Sequence, residues 1–339
     1  GTLILDANQQ PIPTYDQVTI EETARALTGW NFASEEPPTA NIDDFLWTDR
    51  FFGPMTPWPA FHDDGPKTIL GGMVIPGGQG AEADLNAVLD ALASHPNVGP
   101  FIGKQLIQRL VTSNPSPEYV ARISAVWDDN GSGVRGHLGS VVKAILLDEE
   151  ALAGTDDTPA FGMVREPVLR VTALVRAFDG TGWTGGEPDE ITDALGQAPF
   201  GSPSVFNFYR PEYATLDLAG QGLVSPEMQI TTHSGLPRQS NALTFLILEA
   251  IADEADWFGP RFDLAPLRDA APDPDGLVSL IERRLMGERI PEPARDQLVQ
   301  HLEGVDLVDP DEPDQPAGEA RAVEALTLVL HSPSFTVQK

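Results

Sequence analysis

Apolar residues recur every three or four positions along most of the chain, which is the spacing of one face of an α-helix. Leu85, Val88 and Leu92 show this spacing in a segment that Gly and Pro separate from its neighbours. Further segments with the same pattern lie at 101–110, 117–126, 138–146, 167–178, 238–253, 276–286, 293–303 and 318–331. The pattern predicts a mainly α fold, built as an irregular array of many helices.

Two long stretches lack a regular spacing of apolar residues. Residues 31–66 and 196–237 combine Gly and Pro with aromatic side chains, which predicts long loops whose rings have surface to bury. Residues 67–77 differ from both, because short apolar runs flank Gly71-Gly72. This arrangement predicts one short β-hairpin.

The helical pattern is interrupted at residues 152–163, where Gly, Pro and Asp accumulate. The interruption predicts a junction between a first helical lobe at 1–151, which holds the aromatic loop and the hairpin, and a second helical lobe at 164–339. One continuous domain is the alternative, since 339 residues suffice for either arrangement.

The charge balance narrows the function classes. With 51 acidic and 21 basic residues, the net charge is −30, which excludes nucleic acid or an anionic membrane surface as the main partner. No apolar stretch approaches the roughly 18 residues of a membrane-spanning helix, so no span is expected. Cysteine is absent, which excludes disulfides, thiolate catalysis and cysteine-ligated zinc, and is compatible with export.

The densest polar segment places His62, Asp63 and Lys67 within six residues. Such a loop can hold a metal through its imidazole and carboxylate, or supply an acid/base pair, so these residues are candidate catalytic groups. The alternative is a structural turn in which the carboxylates cap backbone amides and His62 donates to a carbonyl. His95, at a helix entrance before Pro96, is a further candidate or a helix cap.

Asp128, Asn130 and Ser132 occupy alternate positions, as in the first half of a calcium-binding loop. The twelfth position is Gly139 instead of the bidentate Glu, so an EF-hand is not supported. The pattern predicts a weaker Ca²⁺ site completed from elsewhere, or a turn in which Asx side chains bind backbone amides.

Residues 196–213 interleave aromatic rings with amide and guanidinium groups. Rings stack on apolar faces and amides bind hydroxyls, so the segment predicts a platform for a carbohydrate or a planar ligand. Its candidate ligand-binding residues are Gln197, Phe206, Asn207, Tyr209 and Arg210. The alternative is a loop held in the core by its aromatic side chains.

Several ordered blocks together resemble a known family. They include Ala-Arg-Ala-Leu-Thr-Gly-Trp at 24–30, Phe-His-Asp-x-Gly-x-Lys at 61–67, Leu-Gly-Gly at 70–72, His95-Pro96, Phe-Ile-x-Lys-x-Leu at 101–106 and Pro-Ser-Val-Phe-Asn-Phe-Tyr-Arg-Pro at 203–211. The chain resembles the bacterial family catalogued as domain of unknown function 1800. The resemblance implies a mostly helical, exported protein, extracellular or periplasmic, often encoded beside a secreted protein related to sulfatases. It also implies that relatives carry an N-terminal helical region which this chain lacks.

The resemblance brings no established activity, and two classes of function stay open. The first is a cell-surface binding or assembly module for a partner protein or a polysaccharide, with self-assembly and Ca²⁺ stabilisation as variants. The second is an enzyme acting on extracellular glycans or their esters through His62, Asp63 and Lys67. Because no complete catalytic set is evident, the sequence favours the first class.

Overall fold

The structure is a computed structural model. It describes residues 5–33, 39–46, 53–154, 160–181, 189–251, 262–287, 290–308, 314 and 316–339. The predicted lobe junction at 152–163 lies partly outside the described residues, and the two predicted lobes stay a prediction.

The described chain is mainly α, as the apolar spacing predicts. Its helices are α1 (Gln17–Ala26), α2 (Ile42–Leu46), α3 (Ala81–Ser94), α4 (Val98–Leu110), α5 (Pro117–Asp128), α6 (Leu138–Leu147), α7 (Glu149–Ala153), α8 (Pro167–Ala177), α9 (Asp189–Leu195), α10 (Leu216–Ala219), α11 (Gly235–Ile251), α12 (Ala265–Ala270), α13 (Pro274–Leu285), α14 (Glu292–Glu303), α15 (Glu319–His331) and α16 (Pro333–Thr336). Each segment with a helical period overlaps one of them. No helix among the described residues has the length and apolar character that crossing a bilayer requires.

The strands are short and pair antiparallel. They are β1 (Trp30–Asn31), β2 (Thr56–Pro57), β3 (Lys67–Thr68), β4 (Val74–Ile75), β5 (Met163–Val164) and β6 (Val337–Gln338). The predicted hairpin is confirmed as β3–β4, and Gly71 and Gly72 turn it with the positive φ that glycine adopts without penalty. The sheets β1–β2 and β5–β6 join segments far apart in sequence, which no local turn pattern predicts.

The chain divides into two compact units: unit 1 comprises residues 1–103 and 124–137, and unit 2 comprises residues 104–123 and 138–339. Unit 1 has a small apolar core in which Ile75 and Val88 pack with Ala26. Unit 2 has a larger core, drawn chiefly from α8, α11, α13 and α15. Leu326 of α15 is fully buried there.

Candidate functional site

His62, Lys67 and Asp84 form a buried polar cluster in unit 1. Lys67, the first residue of β3, donates from Nζ to Asp84 Oδ2 at 2.6 Å and to the Gly65 carbonyl at 2.8 Å. His62 Nε2 lies 3.3 Å from the same Asp84 oxygen. All three side chains are at most 2% exposed. The structure therefore brings two predicted residues together around a carboxylate that the sequence analysis missed.

Hydrogen bonds around Thr28 orient the His62 ring. The Thr28 hydroxyl donates to the Arg25 carbonyl at 2.7 Å and accepts from the Asp63 amide at 2.8 Å. Its proton is thus committed, so His62 Nδ1, 3.0 Å from the Thr28 carbonyl oxygen, donates to that oxygen. Nε2 is buried and makes no hydrogen bond with a described residue. Nδ1 therefore donates to a carbonyl, as in the predicted structural turn, whereas Nε2 lies beside Asp84 without a hydrogen bond, and the catalytic role of His62 stays a prediction.

Asp63 is paired with α1 instead of with His62. Arg25 donates from Nε and Nη2 to the two Asp63 carboxylate oxygens at 2.8 and 3.0 Å, and from Nη1 to Glu22 at 2.7 Å. The hydrogen bond from Arg25 holds the pKa of Asp63 well below its usual range, and a hydrogen bond from the Gly65 amide lowers it further. Asp63 is thus an ionised carboxylate that fastens the loop to α1.

Opposing effects act on Asp84. Burial raises its pKa, but hydrogen bonds from Lys67 and Gln79 outweigh burial and leave the pKa below the usual value. The carboxylate is therefore ionised at neutral pH, with the Lys67 ammonium beside it. Asp84 lies in the first turn of α3, where acidic residues are common because they interact favourably with the helix dipole. Its position in the sequence therefore does not predict the pairing with Lys67.

A pocket of about 420 Å³ borders this cluster. Its lining residues are Pro57, Pro59, His62, Asp64 and the segment Gly78 to Glu82. Among the described residues, no group of three or more His, Asp or Glu side chains is placed to hold a metal ion.

His95 lies in a different place. It follows α3, and its Nδ1 accepts from the Asn97 amide at 3.2 Å. It lines an apolar groove of about 760 Å³ in unit 1, away from the pocket beside His62. Thr14, Tyr15, Thr19, Ile20, Thr23, Ala24, Leu27, Leu70, Leu92, Asn97, Val98 and Phe101 complete the groove. Lys104, on α4, is exposed.

In the predicted calcium loop, the side-chain oxygen atoms of Asp128 and Asn130 bind groups within residues 128–135. Asp128 pairs with Arg135, and the Asn130 side chain accepts from the Ser132 and Val134 amides at 2.9 and 3.2 Å. Asp129 likewise accepts from two glycine amides. These contacts are those of the predicted Asx turn, and the Ca²⁺ site stays a prediction.

The five candidate residues of the predicted ligand platform at 196–213 differ in how deeply they are buried. Phe206, Asn207 and Arg210 are exposed. Gln197 is buried, donates to Glu166 at 2.6 Å and accepts from the Val168 amide at 3.1 Å. Tyr209 is also buried, and the Arg109 guanidinium stacks on its ring at 4.0 Å. The exposed members alone face solvent, so the five residues do not form one surface.

A second buried polar cluster lies near Tyr209 in unit 2, and the sequence does not predict it. Glu227 is 1% exposed, and burial raises its pKa to about 7. With Gln108 and Arg109 it lines a cavity of about 10 Å³. Glu227 Oε2, Gln108 Oε1 and the Tyr209 hydroxyl all lack a hydrogen-bond partner among the described residues. Pro226-Glu227 resembles an ordinary helix start, so the sequence gives no sign of this burial.

A comparison with family models decides the relationship. The family described as "Protein of unknown function (DUF1800)" matches residues 5–337. The chain belongs to the DUF1800 family. No curated protein and no solved structure matches the chain.

The DUF1800 blocks of unit 1 meet in one network. Arg25, from the block at 24–30, holds Asp63 of the block at 61–67. Gly29 of the first block has a φ of 79°, and a Cβ built on it would lie 2.8 Å from the His62 backbone nitrogen. Glycine at this position permits the close approach on which the network depends.

Proposed function

We propose that this DUF1800 protein is a binding module that docks an apolar segment of a protein partner in the groove of unit 1. One observation carries the proposal: of the ten residues of α1, all described, only Ala26 is buried. Tyr15, Ile20 and Leu27, on and beside α1, are 44–59% exposed and line the groove. An apolar surface of this kind is typical of an interaction site.

The groove has the size and lining of a binding site. Its volume of about 760 Å³ lies within the range of roughly 300–1,000 Å³ found for ligand pockets. Eight of its thirteen lining residues have apolar or aromatic side chains, and three threonines together with His95 and Asn97 supply polar groups. Such a lining favours an apolar occupant with few polar atoms.

The rim favours a basic partner. Asp16 and Glu21 are exposed, and each directly follows a lining residue of the groove in sequence. Opposite charges around an apolar contact speed association and exclude acidic partners. We therefore expect the occupant to combine apolar side chains with at least one Lys or Arg.

The enzymatic alternative has less support. Glycan or ester hydrolysis by His62, Asp63 and Lys67 requires these groups to reach a substrate. The ring nitrogens of His62 and Nζ of Lys67 instead contact Thr28, Gly65 and Asp84. Export, a polysaccharide ligand and a sulfatase-related partner stay expectations of the family resemblance, separate from the groove.

The test uses Nile red, a neutral apolar dye, in a fluorescence titration of the whole chain. Ile20→Asp places a charge in the groove, so we expect at least a tenfold loss of dye affinity. Leu152→Asp, at an exposed apolar position on α7 of unit 2, is the matched control and leaves the affinity unchanged.

Competition tests the charge of the occupant. A peptide with apolar side chains flanked by Lys displaces the dye better than the same peptide flanked by Glu. Unchanged dye binding by Ile20→Asp, or equal displacement by the two peptides, would overturn the proposal.

A further inference from the structure

Unit 2 carries a loop with three exposed apolar side chains. Phe200 is fully exposed, Val205 is 94% exposed and Phe206 is 73% exposed. The loop is ordered by its own hydrogen bonds: Ser204 Oγ accepts from the Phe206 amide at 3.1 Å, and the Ser204 carbonyl accepts from the Asn207 amide at 3.2 Å. We call residues 200–206 the apolar loop. Its three large side chains leave water only if another molecule covers them.

The backbone of this loop is held in an unfavourable conformation at its first residue. Phe200 has a φ of 59°, in the left-handed region that side chains other than those of Gly, Asn and Asp rarely adopt, whereas Asn207 adopts its φ of 69° at little cost. The buried side chains of Gln197 and Tyr209 anchor the chain before and after it. Strain that the surrounding structure maintains is often found where a protein presents side chains to a ligand.

Arg210 follows the apolar loop in sequence and carries a positive charge. Its side chain is exposed and forms no ion pair with a described residue. Its backbone amide donates to Gln229 Oε1 at 2.8 Å, which fixes its place next to the buried Tyr209. This part of the described surface of unit 2 therefore combines apolar side chains with the guanidinium group of Arg210.

We propose that the occupant of the groove is a second copy of this chain, inserted through its apolar loop. This inference rests on the proposed function and names its partner. The loop has the two properties that the groove favours: apolar side chains, and a basic residue, Arg210, to meet the acidic rim. Loop and groove are different surfaces of one chain, so the contact is head-to-tail and extends into rings or filaments.

The net charge makes this assembly depend on salt. Two copies with a net charge of −30 repel each other at low ionic strength. At about 0.5 M salt, charges more than roughly 5 Å apart are screened, whereas the apolar contact persists. Assembly therefore increases as salt is raised.

The test is sedimentation velocity on the whole chain at low and high salt. The wild type forms species larger than a monomer at high salt. Phe206→Asp, which alters the loop, and Ile20→Asp, which alters the groove, are each monomeric. Mixed together, they form a dimer and nothing larger, because each variant retains one of the two surfaces. Leu152→Asp assembles like the wild type.

Charge reversal tests the role of Arg210. Arg210→Glu weakens assembly about tenfold, and Glu21→Arg in the same chain restores part of it. A wild type that stays monomeric at high salt, or a mixture of the two Asp variants that forms no dimer, overturns the inference.

The remaining outcomes separate this inference from the proposed function. If Ile20→Asp loses Nile red while the wild type stays monomeric, the groove stands as a binding site and the second copy fails as its occupant. If Ile20→Asp keeps its dye affinity, the proposed function itself fails. If a monomeric wild type floats with phosphatidylcholine vesicles and Phe206→Asp does not, the loop binds lipid, and the inference is overturned.

Discussion

The two units bury polar groups in opposite ways. In unit 1, the carboxylate of Asp84 keeps its charge because the Lys67 ammonium lies 2.6 Å away. In unit 2, Glu227 forms no ion pair with a described residue, and burial outweighs the nearby charge of Arg109 and raises its pKa to about 7. The fold thus favours the ionised form of Asp84 and the protonated form of Glu227. The comparison shows that hydrogen bonds donated to a buried carboxylate, and not a nearby charge alone, keep it ionised.

The apolar cores of the two units differ in size. Unit 1 relies on a few apolar residues together with its network of ion pairs, whereas unit 2 relies on a large core of aliphatic side chains. We therefore expect unit 1 to be most sensitive to the loss of a charge and unit 2 to the loss of buried volume.

Asp84→Ala is expected to have the largest effect. It leaves the Lys67 ammonium buried without a counter-charge, so we expect a loss of about 4 kcal/mol in the free energy of unfolding, measured in urea. Replacing both partners, by Lys67→Met with Asp84→Leu, recovers most of the loss, since no unpaired charge remains. A loss below about 1 kcal/mol for Asp84→Ala would show that the ion pair contributes little.

Leu326→Ala tests the core of unit 2. The side chain is fully buried among apolar neighbours, so the loss of transfer energy and the resulting cavity cost about 3 kcal/mol. Leu328→Ala, at a partly exposed position on the same helix, costs less than about 1 kcal/mol. Equal losses for the two variants would contradict the assignment of this core.

Glu227→Gln tests the pH dependence. Between pH 4.5 and about 7, the carboxyl ionises in the unfolded chain but stays protonated in the folded one. The unfolded state then binds fewer protons, so the free energy of unfolding falls as pH rises, by about 3 kcal/mol over this window. Glu227→Gln removes this fall in chemical denaturation across the pH range, and Glu212→Gln, at an exposed position, retains it. A wild type whose stability is flat over the window would refute the assignment.

Phe200→Gly is expected to have the smallest effect. The side chain is fully exposed, so little packing is lost, and glycine relieves the left-handed backbone. We expect a gain of about 1 kcal/mol in thermal or urea unfolding. Val205→Gly, where φ is not positive, serves as the control and gives no gain. A gain of equal size in both would show that the strain at Phe200 is not the cause.

The sequence predicts the regular elements well and the long-range contacts poorly. The spacing of Leu85, Val88 and Leu92 predicts α3, and Gly71-Gly72 predicts the β3–β4 turn, because both signals are local. The β5–β6 sheet joins residues near 163 to residues near 337, and no short window contains both. Distance along the chain therefore limits what periodicity can predict.

The candidate sites follow the same rule. The sequence groups His62, Asp63 and Lys67 because they are close along the chain, but the residues that bind them, Arg25 and Asp84, come from two helices. In the segment 196–213, no period distinguishes inward from outward side chains. Phe206 and Tyr209 therefore look equivalent in sequence, although one is exposed and the other is buried.

Gly29 has a consequence for interpreting saturation mutagenesis. Its positive φ and the 2.8 Å between a built Cβ and the His62 backbone nitrogen mean that any other amino acid here strains its own backbone and displaces that of His62. A scan scored on growth or abundance would rank position 29 with catalytic residues, although a glycine has no group to perform chemistry. Here, intolerance to substitution records the space between two backbones.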